Sequence, residues 1–198
     1  MVWDELSRQA EDENLRDRDR WIGVYIAILA VILAVCSMGG SNAAKEATQN
    51  NIAAANTWAF FQAKNMRRHV LRVQVDELEL ALLSEPALGD AARSAIQEKI
   101  AAYKAQDAKL TSDPASGEGL DELFQRGKAL EATRDIAMRQ DPYFDYAQAL
   151  LQIAIVLASV AIITKGTAIL IASGLVGLAG TLLMLNGFTL AVAVPGLG

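Results

Sequence analysis

Residues Asn42–Leu83 read NAAKEATQNNIAAANTWAFFQAKNMRRHVLRVQVDELELALL. The stretch holds no Gly and no Pro and is rich in Ala, Gln, Glu, Leu and Arg. That composition predicts one continuous helix, because none of these residues breaks the backbone ladder and most lose little side-chain freedom in it. Apolar or small residues recur at Ile52, Ala55, Ala59, Ala63, Met66, Val70, Val73 and Leu80, a step of three or four that marks one stripe. A second stripe, Leu71, Val75, Leu78 and Leu82, appears in the last turns, so the far end is expected to be buried on more than one side.

Outward from this helix the chain turns apolar in blocks. Of its 198 residues 53% are hydrophobic although 21% are charged, a combination that requires the two kinds to be segregated. Trp21–Met38, Ala147–Thr164 and Gly166–Gly198 contain no charged residue. About 20 apolar residues at 1.5 Å each cross about 30 Å of hydrocarbon, so three transmembrane helices are predicted, at 21–38, 147–164 and 167–189. The remaining parts are a polar N-terminal segment at 1–20, an extramembrane segment at 41–146 and an apolar tail at 190–198. Gly39-Gly40 is expected to break the chain after the first span, with Ser41 or Asn42 capping the long helix.

Pro86 after Glu85 ends the long helix. Asp90 is expected to cap a second helix to about Leu110, and Thr111–Gly119 (TSDPASGEG) is turn-forming. A third helix is expected from Leu120 to about Gln140, bending at Asp141-Pro142 before the second span. The long helix rises about 63 Å and the two shorter ones together about 62 Å. Equal lengths predict an all-α membrane protein: three spans plus a long antiparallel, coiled-coil-like helical hairpin between the first and second. A compact three-helix bundle would need a further reversal near the membrane. Four arginines before the first span against one lysine soon after it predict a cytoplasmic N-terminus and an outer hairpin, a side that in a bacterial inner membrane is the periplasm.

Little in the sequence can carry chemistry. Net charge is −5, which argues against a nucleic-acid partner. Seven acidic residues before the first apolar block argue against a cleaved signal peptide, and against lipidation at the single cysteine, Cys36. His69 is the only histidine, so neither a metal site nor a His-based catalytic centre is expected, and no cofactor. Lys64, Arg67, Arg68 and Arg72 form a candidate cluster for an anionic partner; pairing such as Arg72 with Asp76, four residues on, is the structural alternative. Trp58, Phe60 and Phe61, with Met66, are a candidate interface, since three aromatics in four helical residues point about 100° apart and cannot share one seam. Ser173, Gly174, Gly177 and Gly180 are candidates for close helix packing in the last span. No charged residue lies within a span, which removes the usual hardware of proton relays and charge-coupled transport.

The segments SNAAKEATQNNIAAANTWAFFQAKNMRRHVLR, DPYFDYAQALLQIAIVLASVAIITK and GLVGLAGTLLMLNGF resemble a family of bacterial membrane proteins described only as domain of unknown function 4337. The resemblance covers nearly everything from Trp21 to Thr189. It implies three spans and a helical middle, and no assigned activity. The function expected is that of a non-enzymatic membrane protein. It would be a homo-oligomer or an accessory, scaffold-like subunit of a membrane complex, with the lipid bilayer and either itself or another membrane protein as partners. An oligomeric pore lined by Asn42, Asn50, Asn51 and Asn56 is the first alternative, and an envelope sensor or ligand-binding module using Lys64–Arg72 the second.

Overall fold

In the computed structural model the chain is helical and contains no strand among the described residues, which are 2–85 and 87–196, with side chains from Arg16 onward. Among the described residues four helices occur in order: α1 Val2–Ser84, α2 Asp90–Thr111, α3 Leu120–Thr164 and α4 Thr167–Thr189. Three of them, α1, α3 and α4, are long and apolar enough to cross a membrane. The chain divides into two compact units, one built from the residues up to Ala47 with those from Asp135 on, the other from Thr48–Arg134.

Several expected boundaries are absent because helices run through them. Gly39-Gly40 does not break α1, and neither Ser41 nor Asn42 caps anything. The pair makes room instead: a Cβ on Gly39 would lie 2.6 Å from the Phe144 ring and 2.9 Å from Phe188. Glycine here is spacing between helices, and the cost in helix propensity is offset by packing. α3 likewise continues past Gln140 with Pro142 inside it. Proline removes one backbone bond, but Ala137, Tyr143, Phe144 and Ala147 on either side are at most 3% exposed and hold the helix together. Asp90 is the first residue of α2 rather than its cap; Gly89 occupies the cap position with no side-chain bond. α1 ends at Ser84; Pro86, invoked to end it, lies outside the described residues.

In the first unit, α1 contributes Ile22, Leu29, Cys36 and Ala43 at seven-residue steps, all at most 4% exposed. α3 presents Ala147, Leu151, Ala154, Ala158 and Ala161, all fully buried, and α4 presents Ser173, Gly177, Gly180, Met184 and Gly187. Small residues on two of three helices bring backbones close: a Cβ on Gly180 would stand 3.1 Å from the Ala147 carbonyl oxygen. The opposite faces carry exposed Val31, Met38, Ile163, Ile171 and Leu175, as lipid-facing surfaces do. Lys165, with φ 54°, turns the chain between α3 and α4. After α4, Leu190 takes a left-handed conformation. The Asn186 side-chain amide then exchanges two hydrogen bonds with Val192, at 2.8 and 2.9 Å, and the Tyr143 hydroxyl donates to the Val192 carbonyl.

In the second unit the pairings run in opposite directions along the chain. Ascending α1 through Asn51, Trp58, Lys64, Arg72 and Glu79 meets Arg134, Glu131, Glu118, Asp107 and Lys104 in descending order. The buried apolar residues of this stretch are Leu71 and Val75 of α1, each 7% exposed, and Ile100 and Leu110 of α2 at 9%. The first stripe of the sequence, by contrast, is uncovered: Ile52, Met66, Val70, Val73 and Leu80 are 42–65% exposed. The expectation of burial on more than one side of this helix is therefore corrected. Its own chain covers one face only.

Candidate functional site

The second unit gathers the residues singled out in the sequence and separates them by role. Trp58 and Phe61 turn toward α3, where both meet Phe124: the Trp58–Phe61 and Trp58–Phe124 rings are edge-on at 5.6 Å, and Phe61–Phe124 is tilted at 6.4 Å. Trp58 Nε1 donates to Glu131 at 2.9 Å. Beneath the indole lies Gly127, where a Cβ would be 2.8 Å from two ring carbons. Lys128 also bonds Glu131 at 2.9 Å and stands 5.7 Å from the Trp58 ring centre. The Lys128 bond first, and the indole bond second, hold the Glu131 carboxyl below the usual range. Phe60 and Met66 point away, 41% and 64% exposed, with Lys64 Nζ 4.8 Å above the Phe60 ring. The four candidate interface residues thus split into an inward pair and an outward pair, as neighbours 100° apart must.

The basic cluster is mostly consumed within the unit. Lys64 donates to the Glu118 carbonyl and carboxylate, and Arg68 to the Thr111 hydroxyl at 3.4 Å. Arg72 grips Asp107 with two bonds of 3.1 Å. The pairing with Asp76 is therefore corrected: the fork of Arg72 finds a planar carboxylate on α2 instead. Arg67 and His69 are exposed. A shallow groove of about 540 Å³ runs along α1 between Gln62, Asn65, Met66, Arg68, His69 and Arg72. Every one of these residues belongs to a single helix, so the groove is a furrow on one face and not an enclosed pocket.

The loop 112–119 closes on itself. Glu122 accepts from the Ser112 hydroxyl at 2.8 Å and the Asp113 amide at 3.2 Å, which lowers its pKa. Asp113 accepts from the Ser116 amide and is lowered too, the Ser116 hydrogen bonds being the main cause.

In the first unit, Ser173, Gly177 and Gly180 are buried. Ser173 Oγ donates to the Ala154 carbonyl at 2.7 Å, and Tyr25 donates to the Ser173 carbonyl at 3.1 Å. Gly174 is not brought against any helix of this chain: nothing lies within 4 Å of the place its Cβ would occupy.

Among the described residues no three His, Cys, Asp or Glu side chains stand where they could hold a metal. Sequence reading missed Glu131, Phe124 and Gly127, which lock Trp58. The signal available was Gly127, an isolated glycine in a helix-forming run, which points to close packing. No curated protein and no solved structure matches the chain. One family model does, over residues 18–190, the whole of the second unit and most of the first. The chain belongs to the family described as domain of unknown function (DUF4337).

Proposed function

We propose that this is a non-enzymatic integral membrane protein that self-associates through α1, with its antiparallel helical hairpin as the contact surface. The spans are 21–38, 147–164 and 167–189, the N-terminus is cytoplasmic, and the hairpin projects into the periplasm of a bacterial inner membrane. The observation that carries this reading is the uncovered stripe of α1. Ile52, Ala59, Met66, Val73 and Leu80 recur every seven residues, and Asn56, Ala63, Val70 and Glu77 alternate with them at steps of three and four. All are exposed. Outside a membrane an apolar face of this length calls for a partner, and a 3.5-residue period is what a second helix matches. Ala59 and Ala63 let that helix come close, and Phe60 widens the contact on one flank. A second copy of the chain supplies the same face.

The test is the mass of the purified full-length protein in gentle detergent, compared with the Met66→Glu/Val70→Glu double variant. The expected wild type is a multiple of the 21.2 kDa chain, and the variant a monomer of unchanged helicity. A wild type that stays monomeric with no co-purifying protein overturns the proposal.

A further inference from the structure

We propose that the cleft between the start of the first span and α4 holds one phospholipid of net negative head group, its phosphate on Arg18 and one acyl chain in the groove behind it. The cleft has a volume of about 330 Å³ and is lined by Arg18, Trp21, Ile22, Tyr25, Leu170 and Gly174. Five of these six are uncharged, and the one cation sits at the end of the groove, which is the layout of a lipid: charge at one end, hydrocarbon along the rest. Gly174 keeps the floor open, since a side chain there would project into space that nothing else in the chain fills. Trp21, 73% exposed, forms a wall and marks the depth at which aromatic rings meet head groups.

Arg18 is placed but not satisfied. One terminal nitrogen donates to the Lys165 carbonyl at 3.1 Å and the other to the neighbouring Asp19 carboxylate at 3.2 Å. Its Nε is shielded from solvent and has no acceptor among the described residues. A buried donor without a partner is unusual in a settled structure. Nε and the terminal nitrogen bonded to Asp19 form one edge of the guanidinium, the fork that phosphate oxygens accept once Asp19 turns away. Arg16, Arg18, Arg20 and Lys165 mark this end of the span, with Asp17 and Asp19 interleaved. Basic clusters at the end of a span recruit anionic lipids.

The inference rests on the membrane-spanning reading. The full-length protein is inserted into nanodiscs made with equal amounts of phosphatidylglycerol and phosphatidylcholine of the same chains, extracted into detergent, and its retained lipids counted by native mass spectrometry. One phosphatidylglycerol is expected to be retained at about fivefold preference, the value for one arginine at an anionic surface. Arg18→Gln should remove the preference, Arg18→Lys should keep part of it, and Gly174→Leu should reduce retention of both lipids alike. A preference unchanged in Arg18→Gln, or retention unchanged in Gly174→Leu, overturns the site. A chain that fails to enter nanodiscs at all overturns the membrane reading instead, so the two failures are distinguishable.

Discussion

Gly127→Ala sets two effects of opposite sign against each other. In a helix interior alanine is favoured over glycine by about 1 kcal/mol, so the substitution should stabilise α3 if nothing else changed. But the new methyl would stand 2.8 Å from two carbons of the Trp58 ring, roughly 0.7 Å inside the shortest comfortable carbon–carbon contact. The indole cannot simply retreat. Its Nε1 is bonded to Glu131 at 2.9 Å and its edges meet Phe61 and Phe124 at 5.6 Å. Overpacking of this kind costs about 1–3 kcal/mol. The clash wins: Gly127→Ala should destabilise the second unit by about 1 kcal/mol, a fall of about 4–8 °C in melting temperature for a unit of this size.

The double variant separates the two effects. With Trp58→Ala the obstruction is gone, and Gly127→Ala added to it should now raise stability by about 1 kcal/mol, a coupling of about 2 kcal/mol between the sites. The assay is thermal proteolysis of the full-length protein in mild detergent, reading cleavage within Thr48–Arg134. If Gly127→Ala raises the midpoint in both backgrounds, the indole is not pinned on Gly127 and the reasoning fails.

Other substitutions test other contacts. Gly39→Ala places a methyl 2.6 Å from Phe144 and 2.9 Å from Phe188. It should destabilise the first unit by about 1–3 kcal/mol, with Phe144→Ala in the same chain relieving part of it; equal melting of wild type and Gly39→Ala would refute the seat. Glu77 is the one charged residue on the uncovered stripe between Ile52 and Leu80. Glu77→Leu should tighten self-association by about tenfold, the effect of about 1.4 kcal/mol, read from the concentration at which the oligomer dissociates; weaker association would count against the stripe as interface. Lowering pH should loosen the second unit through Glu122, Asp113 and Glu131. Their folded-state pKa values are depressed by hydrogen bonds. The stability they contribute is therefore present above the ordinary carboxylate range and lost as pH falls through the lower folded values. Cleavage in the loop 112–119 should stay constant from neutrality to about pH 5 and rise below about pH 4; a Glu122→Gln chain should show that exposure already at neutral pH.

How much was legible depends on what each feature needs. The three apolar helices can be read from runs without charge, because length and hydropathy are properties of the sequence itself. The loop after α2 can be read from Pro, Gly, Ser and Asp in one cluster. The missed features are those in which a residue has two physical uses. Gly39-Gly40 has the composition of a break, and the chain uses it as a gap that admits Phe144. Pro142 has the composition of a bend, and burial of Tyr143 and Phe144 at 3% exposure keeps the helix running. Local propensity amounts to about 1 kcal/mol for a glycine and about 3 for a proline. Burying a large side chain contributes about 1.5–3 kcal/mol, so packing by two or three neighbours decides the outcome.

The same competition explains why the sequence could not say which stripe of α1 its own chain covers. Leu71, Val75, Leu78 and Leu82 are apolar at a helical step, and so are Met66, Val70, Val73 and Leu80. Hydrophobicity is satisfied by covering either. The choice lies with the polar flanks. Lys64, Arg68, Arg72 and Glu79 border the covered stripe, and each finds a partner on the returning chain: Glu118, Thr111, Asp107 and Lys104. Covering the other stripe would carry these four away from those partners. One exposed pair is worth at most about 1 kcal/mol, but contacts placed along one edge act together on the single choice of face, and that face also receives the aromatic lock of Trp58. The residues left over are then not random. Glu77 lies on the uncovered stripe and Arg67 flanks it; both are exposed and take part in no ion pair among the described residues. The face that its own chain leaves open therefore has apolar residues at a coiled-coil step and charges still free to set the register of a second helix.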